Sequence, residues 1–320
     1  MNASRQVVVI ARVLLPAGLD RLRERFEVRE GGLDATREQL LAIVPGAGAL
    51  VPDGSVPVDG ELLDACGDSL EVVANFAVGY DNVDLEACKE RGVIVTNTPD
   101  VLTEATAELA LALSLAAARR MSDAERDLRA GRWRGWDPAA YRGIEIRGST
   151  VGVVGMGRIG RRYARLARGL GARIVYSSRS AKPEAESELG AERLELPELL
   201  EAADVVSIHA PATPETRSMI GAAELDLIGP EGVLVNTSRG PLVDSEAVAA
   251  ALESGALGAA GLDVYEKEPE VPPRLLEAPR CVLLPHIGSA TIPSRDGMAS
   301  AVADNVIAVL EGREPPSRVA

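Results

Sequence analysis

The chain repeats one pattern along most of its length: a short apolar run is followed by a helical segment, and then by another apolar run. Val7–Leu14 precedes the helical segment Leu19–Phe26, and Thr150–Val154 precedes the helical segment Arg158–Gly169. Parallel strands need long crossover connections, and strands buried on both faces are apolar along their whole length. The pattern therefore predicts an α/β fold with parallel sheets that are covered by helices on both faces.

The order of these runs divides the chain. A first strand–helix series ends near residue 100, where a long helical segment rich in alanine and leucine, Leu102–Ala130, begins. A loop that contains Trp133 and Trp136 follows, and a second series starts at Ser149. Because 320 residues are enough for two domains, the sequence predicts two of them.

Composition excludes several classes of protein. The chain has 34 basic and 48 acidic side chains, and it has only two Phe, two Trp and five Tyr, which disfavours nucleic-acid binding. Its two histidines and three cysteines are far apart, so we expect no metal site, no disulfide framework and a cytoplasmic location. The longest apolar stretch, 105–118, contains Glu108, and the N-terminus lacks a signal-peptide pattern, so we expect no membrane segment.

A glycine-rich turn follows the strand-like run Thr150–Val154. Its sequence, Gly155-Met-Gly-Arg-Ile-Gly160, fits GxGxxG and leads directly into a helical segment. In that setting Gly155 allows a tight turn, Gly157 lets the backbone approach a pyrophosphate, and Gly160 lets helix and strand pack closely. The motif predicts a dinucleotide site; a glycine-rich turn without a ligand is the alternative.

The end of the next strand bears on the choice of coenzyme. NAD sites usually place an acid near this position to bind the ribose 2′-hydroxyl, and here the segment contains Ser178, Arg179 and Ser180. A guanidinium binds a 2′-phosphate through charge-assisted hydrogen bonds. We therefore predict that NADP(H) is favoured and that NAD(H) is possible, with a solvated Arg179 as the alternative.

Three polar residues stand at the ends of later strands or in the loops that follow them. Arg239 can bind a carboxylate, His286 can transfer a proton near neutral pH, and Glu268 can hold that histidine charged. Ligand crevices of parallel sheets lie at this edge. Composition alone does not join the three residues, because each type is more often a surface residue than a catalyst.

The three motifs, their order and their spacing resemble the D-isomer-specific 2-hydroxyacid dehydrogenases, most closely the glyoxylate/hydroxypyruvate reductase branch. Glu268 follows Arg239 by 29 residues, and His286 follows Glu268 by 18. The similarity covers nearly the whole chain. The matching segments are Val72–Asp84, Val93–Glu108, Gly155–Gly160, Asn236–Asp244, Gly261–Pro269 and Pro285–Gly288.

The resemblance implies a role for each site residue. Arg239 would bind the substrate carboxylate together with the backbone amides of Val78 and Gly79, and His286 would be the acid/base with Glu268 as its partner. Besides the three glycines and residues 178–180, it implies a set of cofactor neighbours. They are Thr106, Arg158, Ile159, Pro211, Thr216, Thr237, Ser238, Asp263 (on the nicotinamide side) and Gly288.

The resemblance also implies the domain organisation. Residues 1–100 and 291–320 would form a substrate domain, and residues 101–290 would form a dinucleotide-binding domain. Both would be Rossmann-like doubly wound domains, with the substrate in a cleft between them and with a homodimer as the assembly. His209 is expected either in the wall of the cofactor pocket or as a plain strand-end residue.

The function implied is NAD(P)H-dependent reduction of a small 2-oxo acid, with glyoxylate or hydroxypyruvate favoured. A short phosphoglycerate dehydrogenase and another D-2-hydroxyacid dehydrogenase remain alternatives. A dinucleotide-sensing protein similar to a corepressor is an alternative of a different class. Formate dehydrogenases of this superfamily carry Gln at the position of Glu268 and are disfavoured.

Overall fold

The computed structural model describes residues 5–320, which divide into two compact units. The first unit runs to Leu102 and resumes from Ser289 to Ala320, and the second is Thr103–Gly288. Each unit has one sheet, and all of the strand pairs in both sheets are parallel. The predicted α/β fold with two parallel sheets is therefore confirmed.

The elements are numbered in chain order. The strands are β1 (Val7–Ile10), β2 (Glu27–Glu30), β3 (Ala47–Val51), β4 (Val72–Ala74), β5 (Ile94–Thr96), β6 (Thr150–Val154), β7 (Arg173–Ser177), β8 (Glu192–Arg193), β9 (Val205–Ile208), β10 (Val233–Asn236), β11 (Ala259–Leu262) and β12 (Cys281–Leu283). The helices are α1 (Pro16–Arg25), α2 (Arg37–Ile43), α3 (Gly60–Cys66), α4 (Leu85–Glu90), α5 (Thr103–Ala118), α6 (Met121–Arg129), α7 (Arg158–Gly169), α8 (Pro183–Leu189), α9 (Leu196–Ala202), α10 (Ala222–Ile228), α11 (Ser245–Ser254), α12 (Pro273–Glu277) and α13 (Ile292–Leu310).

The sheet of the first unit has the order β2-β1-β3-β4-β5, one of the two common doubly wound orders. Side chains of a strand alternate between its faces, so neighbouring residues enter different cores. Val8 packs with residues of α1 and α13, whereas Val9 packs with residues of α2, α3 and α4. Helices on both faces explain why the inner strands β1, β3 and β4 are apolar throughout, whereas the edge strand β2 is largely polar.

The sheet of the second unit has the order β12-β11-β10-β9-β6-β7-β8. The chain leaves β6 toward β7 on one side and later returns to β9 on the other, so the strand order reverses between β6 and β9. Loops at such a switch point splay apart beyond the carboxyl ends of the strands and leave a crevice. The polar residues singled out in this unit follow those ends.

The structure corrects one long prediction. The segment Leu102–Ala130 is not one helix but two, because the chain turns at Arg120, which has a left-handed φ of 52°. The carbonyl of Ala118 accepts a hydrogen bond from the amide of Ile144, 3.0 Å away, instead of one from the next helical turn. Gly143 permits this approach, since a Cβ there would lie 2.0 Å from that carbonyl oxygen.

Candidate active site

Six loops of the second unit, each after the carboxyl end of a strand, contain most of the predicted residues. The glycine motif follows β6, and Ser178 and Arg179 follow β7. Pro211 and Thr216 lie after β9, joined by a 2.8 Å bond from the Thr216 hydroxyl to the Pro211 carbonyl. Residues 237–239 follow β10, Asp263 follows β11, and residues 286–288 follow β12. Parallel strands thus bring residues from distant parts of the chain to one edge.

The glycine motif forms the turn between β6 and α7. Gly155 has a φ of 97°, and a Cβ on it would lie 2.7 Å from backbone atoms of His209. A Cβ on Gly160 would lie 2.1 Å from the Gly155 carbonyl oxygen, so both positions require glycine. A Cβ on Gly157 would meet no described atom within 4 Å, and no side chain caps the helix there. Arg158 and Ile159 begin α7 at this open N-terminus.

Two further observations fit a dinucleotide at this edge. Among the residues described, the buried hydroxyl of Thr237 has no hydrogen-bond partner, although buried polar groups are normally paired. A cavity of about 390 Å³ lies between residues 156–158 of the glycine motif and residues 181–185. A bound dinucleotide would supply the missing partner and would occupy a cavity beside the glycine turn, so the residues present fit this group.

The segment after β7 is held by its own hydrogen bonds. The hydroxyl of Ser178 donates to the carbonyl of Ser180 at 2.7 Å, and Arg193 donates to the carbonyl of Ser178 at 3.0 Å. Lys182 Nζ lies 3.0 Å from the hydroxyl of Ser180. Arg179 is exposed. The segment therefore presents two cations, and sequence reasoning missed Lys182 because it lies beyond the position usually compared.

His286 and Glu268 form a close pair. His286 Nδ1 lies 2.6 Å from Glu268 Oε2, and Oε1 of the same carboxylate accepts the amide of Tyr265 at 3.0 Å. Burial raises the pKa of Glu268, but the hydrogen bond and charge of His286, the Tyr265 amide and the charge of Arg239 outweigh it, so the pKa is lowered. The carboxylate is thus ionised at neutral pH, and because a carboxylate only accepts, Nδ1 of His286 is the donor in this pair.

The turn that presents His286 is fastened by Asp263. The amide of His286 donates to the carbonyl of Asp263 at 2.9 Å, and the carboxylate accepts the amides of Ile287 and Gly288 at 2.7 and 2.8 Å. Thr106 donates to the carbonyl of Gly288 at 3.1 Å. These bonds hold His286 at a φ of 53°, a left-handed conformation that a histidine rarely adopts. Burial raises the pKa of Asp263 in spite of them.

Arg239 is set in place by the loop after β10. The buried side-chain amide of Asn236 makes two hydrogen bonds. Its Nδ2 donates to the Arg239 carbonyl at 2.9 Å, and its Oδ1 accepts the backbone amide of Ser238 at 3.0 Å. Gly240 lets this loop touch the one that carries Glu268, because a Cβ there would lie 1.9 Å from the Tyr265 carbonyl. Arg239 is therefore close enough for its charge to lower the pKa of Glu268.

The two remaining predicted residues belong to the first unit. Val78 and Gly79 lie on the loop after β4, and both are half-buried.

His209 lies at the end of β9, with its Nε2 2.9 Å from the Ser207 hydroxyl. Burial lowers the pKa of His209 to about 3, so its ring is neutral at ordinary pH and is not an acid catalyst.

Membrane-spanning helices and metal sites are two further features that residues 5–320 could contain. None of the helices there is long and apolar enough to cross a membrane. In the same range, no group of three or more His, Cys, Asp or Glu side chains could hold a metal ion.

The chain is similar to known proteins over nearly its whole length. Residues 111–288 match the model of the D-isomer specific 2-hydroxyacid dehydrogenase, NAD binding domain. A glyoxylate reductase of Thermococcus onnurineus is 47% identical over 318 residues, which cover 98% of this chain and 95% of that protein.

Solved structures are similar over the same length. A Thermus thermophilus protein has a TM-score of 0.92 and 46% identity, covering 98% of this chain and 100% of that one. An NADPH-dependent glyoxylate/hydroxypyruvate reductase from Sinorhizobium meliloti, solved with NADP and malonate, has a TM-score of 0.88 and 38% identity, covering 99% of this chain and 97% of that one.

Proposed function

Because the chain belongs to the D-isomer specific 2-hydroxyacid dehydrogenase family, we propose that it reduces glyoxylate or hydroxypyruvate, with NADPH as the preferred coenzyme. The family membership shows that the protein is an oxidoreductase with an NAD(P)-binding domain that acts on a 2-oxo acid. The named substrates and the coenzyme preference are the proposal. The observation that supports it best is the His286–Glu268 pair beside Arg239.

Each of these side chains has one task in the proposed reaction. Arg239 binds the substrate carboxylate through its planar guanidinium, together with the amides of Val78 and Gly79. Reduced nicotinamide, when bound, supplies a hydride to the keto carbon. His286 holds the proton that the developing alkoxide takes up, and Glu268 keeps the imidazole protonated and oriented. Asp263 keeps the turn of His286 in place.

We assign the dinucleotide to the carboxyl edge of the sheet in the second unit, where the glycine motif follows β6. Gly155, Gly157 and Gly160 would shape the pyrophosphate turn, and the unpaired hydroxyl of Thr237 would take a hydrogen bond with the cofactor. The proposed neighbours on the same edge are Thr106, Arg158, Ile159, Pro211, Thr216, Ser238, Asp263 and Gly288.

The preference for NADPH rests on the segment after β7. Arg179, Ser178 and Ser180 provide a cation and two hydroxyls for a 2′-phosphate, and Lys182 adds a second cation 3.0 Å from Ser180. A carboxylate outside the segment opposes them: the pKa of Glu215 is lowered by a hydrogen bond from Thr213, by its own amide and by the charge of Arg179. We therefore propose a preference that is moderate, because Glu215 competes for Arg179.

The substrate proposal is tested by a steady-state panel. Glyoxylate, hydroxypyruvate, pyruvate, phenylpyruvate and 3-phosphohydroxypyruvate are compared by kcat/KM with each coenzyme. Glyoxylate or hydroxypyruvate should give the highest value. A highest value for 3-phosphohydroxypyruvate would instead identify a short phosphoglycerate dehydrogenase, and dinucleotide binding without turnover of any substrate would favour a sensor.

The coenzyme proposal is tested at constant ionic strength, since salt screens exposed charges. Charge-assisted hydrogen bonds contribute roughly 1.5–3 kcal/mol each, and exposure reduces this value. Ser178→Asp combined with Arg179→Leu should invert the preference by removing attraction and adding repulsion. Glu215→Gln should strengthen the preference of the wild type. A wild type that prefers NADH tenfold would refute the role given to Arg179.

A homodimer and a cytoplasmic location are also proposed. Supporting the dimer, α6 has no buried residue, and Met121, Leu128, Trp133 and Trp136 are all more than half exposed (56%, 59%, 58% and 86%). Sedimentation equilibrium of the wild type and of Trp136→Ser tests whether this surface mediates self-association. Supporting the location, the three cysteines are unpaired and buried, as in proteins of reducing compartments.

A further inference from the structure

The loop after β4 is held by hydrogen bonds to three consecutive carbonyl groups. The Ala77 carbonyl accepts the amide of Thr98 at 3.0 Å. The Val78 carbonyl accepts Nδ2 of Asn97, and the Gly79 carbonyl accepts Nδ2 of Asn75, each at 2.8 Å. Two of the three donors are thus asparagine side chains.

These bonds determine where the amides of the loop point. In a trans peptide the carbonyl and the N–H of the same peptide point in opposite directions, and the Val78–Gly79 peptide is trans. Asn97 therefore aims the Gly79 amide by holding the Val78 carbonyl, just as Thr98 aims the Val78 amide. Within the described chain, neither amide donates a hydrogen bond to another residue.

Asn97 is itself fixed by the C-terminal segment. Its amide donates to the Ser317 carbonyl at 3.2 Å, and its carbonyl accepts the Ser317 hydroxyl at 2.7 Å and Nδ2 of Asn305 at 3.2 Å. Asn305 is 1% exposed. The backbone of Asn97 therefore cannot easily follow a shift of the loop, and its side chain works as a fixed brace.

From this geometry we propose that Asn97 is a positioning residue for substrate binding. It orients the Gly79 amide so that this amide donates to the carboxylate of the 2-oxo acid. The inference rests on the proposed function, in which the Val78 and Gly79 amides bind that carboxylate. Asn97 touches neither the substrate nor the reacting atoms, so its effect is exerted through the Val78–Gly79 peptide.

Asn97→Asp is the most direct test, because the new side chain has nearly the same shape but presents an oxygen to the Val78 carbonyl. Two acceptors repel, so the peptide turns away and the Gly79 amide is lost to the substrate. A hydrogen bond to a charged group corresponds to about 10–150-fold in affinity. We expect KM for glyoxylate or hydroxypyruvate to rise by at least about tenfold, with the Kd of NADPH changed less than twofold. Asn97→Ala should change KM in the same direction but less.

A merely structural role would give a different pattern. Partial unfolding lowers the active fraction, which lowers kcat and leaves KM unchanged. The matched control is Ser69→Ala, which removes a side-chain hydrogen bond to a backbone carbonyl, that of Ala47, at the amino-end edge of the same sheet. Ser69→Ala should leave the KM for glyoxylate and for hydroxypyruvate within twofold of the wild-type values.

The outcomes separate the inference from the function on which it rests. If the wild type reduces 2-oxo acids and both Asn97 variants bind NADPH but keep a normal KM, the inference is wrong and the proposed function stands. If the wild type reduces none of the 2-oxo acids, both are wrong. Should Asn97→Asp not fold, as judged by the loss of a cooperative thermal transition in calorimetry, Asn97→Ala decides.

Discussion

Replacing Glu268 with glutamine isolates the charge of the carboxylate from its shape. The side-chain oxygen of glutamine can still accept the Tyr265 amide, which lies 3.0 Å from Oε1, so the loop should keep its conformation. The amide nitrogen then faces His286 Nδ1, which lies 2.6 Å from Oε2. The N–H of the glutamine amide can donate a hydrogen bond to an unprotonated Nδ1, but it is repelled by a protonated one. The substitution therefore favours the neutral imidazole of His286.

The size of the effect follows from the distance and the exposure. Two unit charges about 4 Å apart interact by about 1 kcal/mol in water and by about 4 kcal/mol at an effective dielectric constant of 20. The His286 and Glu268 side chains are 48% and 31% exposed, which places the pair between these limits. Since one pH unit corresponds to about 1.4 kcal/mol, the midpoint of the pH–rate profile should fall by about 1–2 pH units.

The assay is kcat/KM for 2-oxo acid reduction as a function of pH. Reduction requires the protonated imidazole, so the rate of Glu268→Gln should decline at lower pH than that of the wild type. Oxidation of the 2-hydroxy acid requires the neutral base, so its rise should move to lower pH as well. Glu253→Gln, which removes an exposed partner of Arg274, is the control and should move neither limb. A variant that keeps its activity and an unshifted profile would refute the pairing.

The remaining predictions concern neighbouring residues. His286→Asn should lower kcat by on the order of 10²–10⁴-fold while NADPH binds normally in a fluorescence titration; a near-normal rate would remove His286 as the acid. Arg239→Lys keeps the charge but not the planar fork, so KM for the 2-oxo acid should rise and kcat should fall, whereas unchanged kinetics would place the substrate elsewhere. In Asp263→Asn, an amide group replaces one of two accepting oxygens, which should cost roughly 1.5–3 kcal/mol and lower Tm by about 3–12 °C in calorimetry; an unchanged Tm would refute the fastening role. The pKa of Glu268 is lower in the folded state than in the unfolded chain, where it is near 4.3. The ionised carboxylate therefore stabilises the fold above that unfolded pKa, and this stabilisation is lost as pH falls through the folded pKa. The Tm difference between wild type and Glu268→Gln should thus shrink below about pH 4.

Much of the second unit follows from local pattern. The predicted bounds of β6 and α7 are those of the structure, because β6 is an apolar strand and α7 is an amphipathic helix that begins at the glycine turn. Elements with weaker local signals were not predicted. Among them are β2, whose four residues are Glu-Val-Arg-Glu, and α2, which contains three polar residues in its first turn. Pairing with β1 and a capping box at Thr36 stabilise these two.

The break between α5 and α6 shows what local pattern leaves out. Residues 102–130 favour helix throughout, and no glycine or proline interrupts them. The helix is interrupted because the amide of Ile144 donates a hydrogen bond to the Ala118 carbonyl, and because Gly143 has no side chain that would block this contact. Such a competitor for a helical hydrogen bond lies too far along the sequence for a propensity argument to include it.

The site shows the same division. Arg239, Glu268 and His286 were singled out by residue type and by position after a strand, and the structure brings Glu268 and His286 into contact. What holds them could not be predicted, because each holding bond joins separate loops. Asp263 fastens the turn of His286, and the Tyr265 amide binds the carboxylate of Glu268. Only the folded backbone specifies these pairs.

Exposed groups that act on substrate and buried groups that hold them should respond differently to substitution. His286 is half exposed, and its side chain makes its contact with Glu268, whereas Asp263 is fully buried and binds two backbone amides. Removing the imidazole therefore costs a proton donor but little folding free energy. Removing the Asp263 carboxylate leaves a left-handed turn without its support, so stability and rate should fall together. A set of variants at this edge should thus separate into two groups when Tm is plotted against kcat, and the grouping should follow burial.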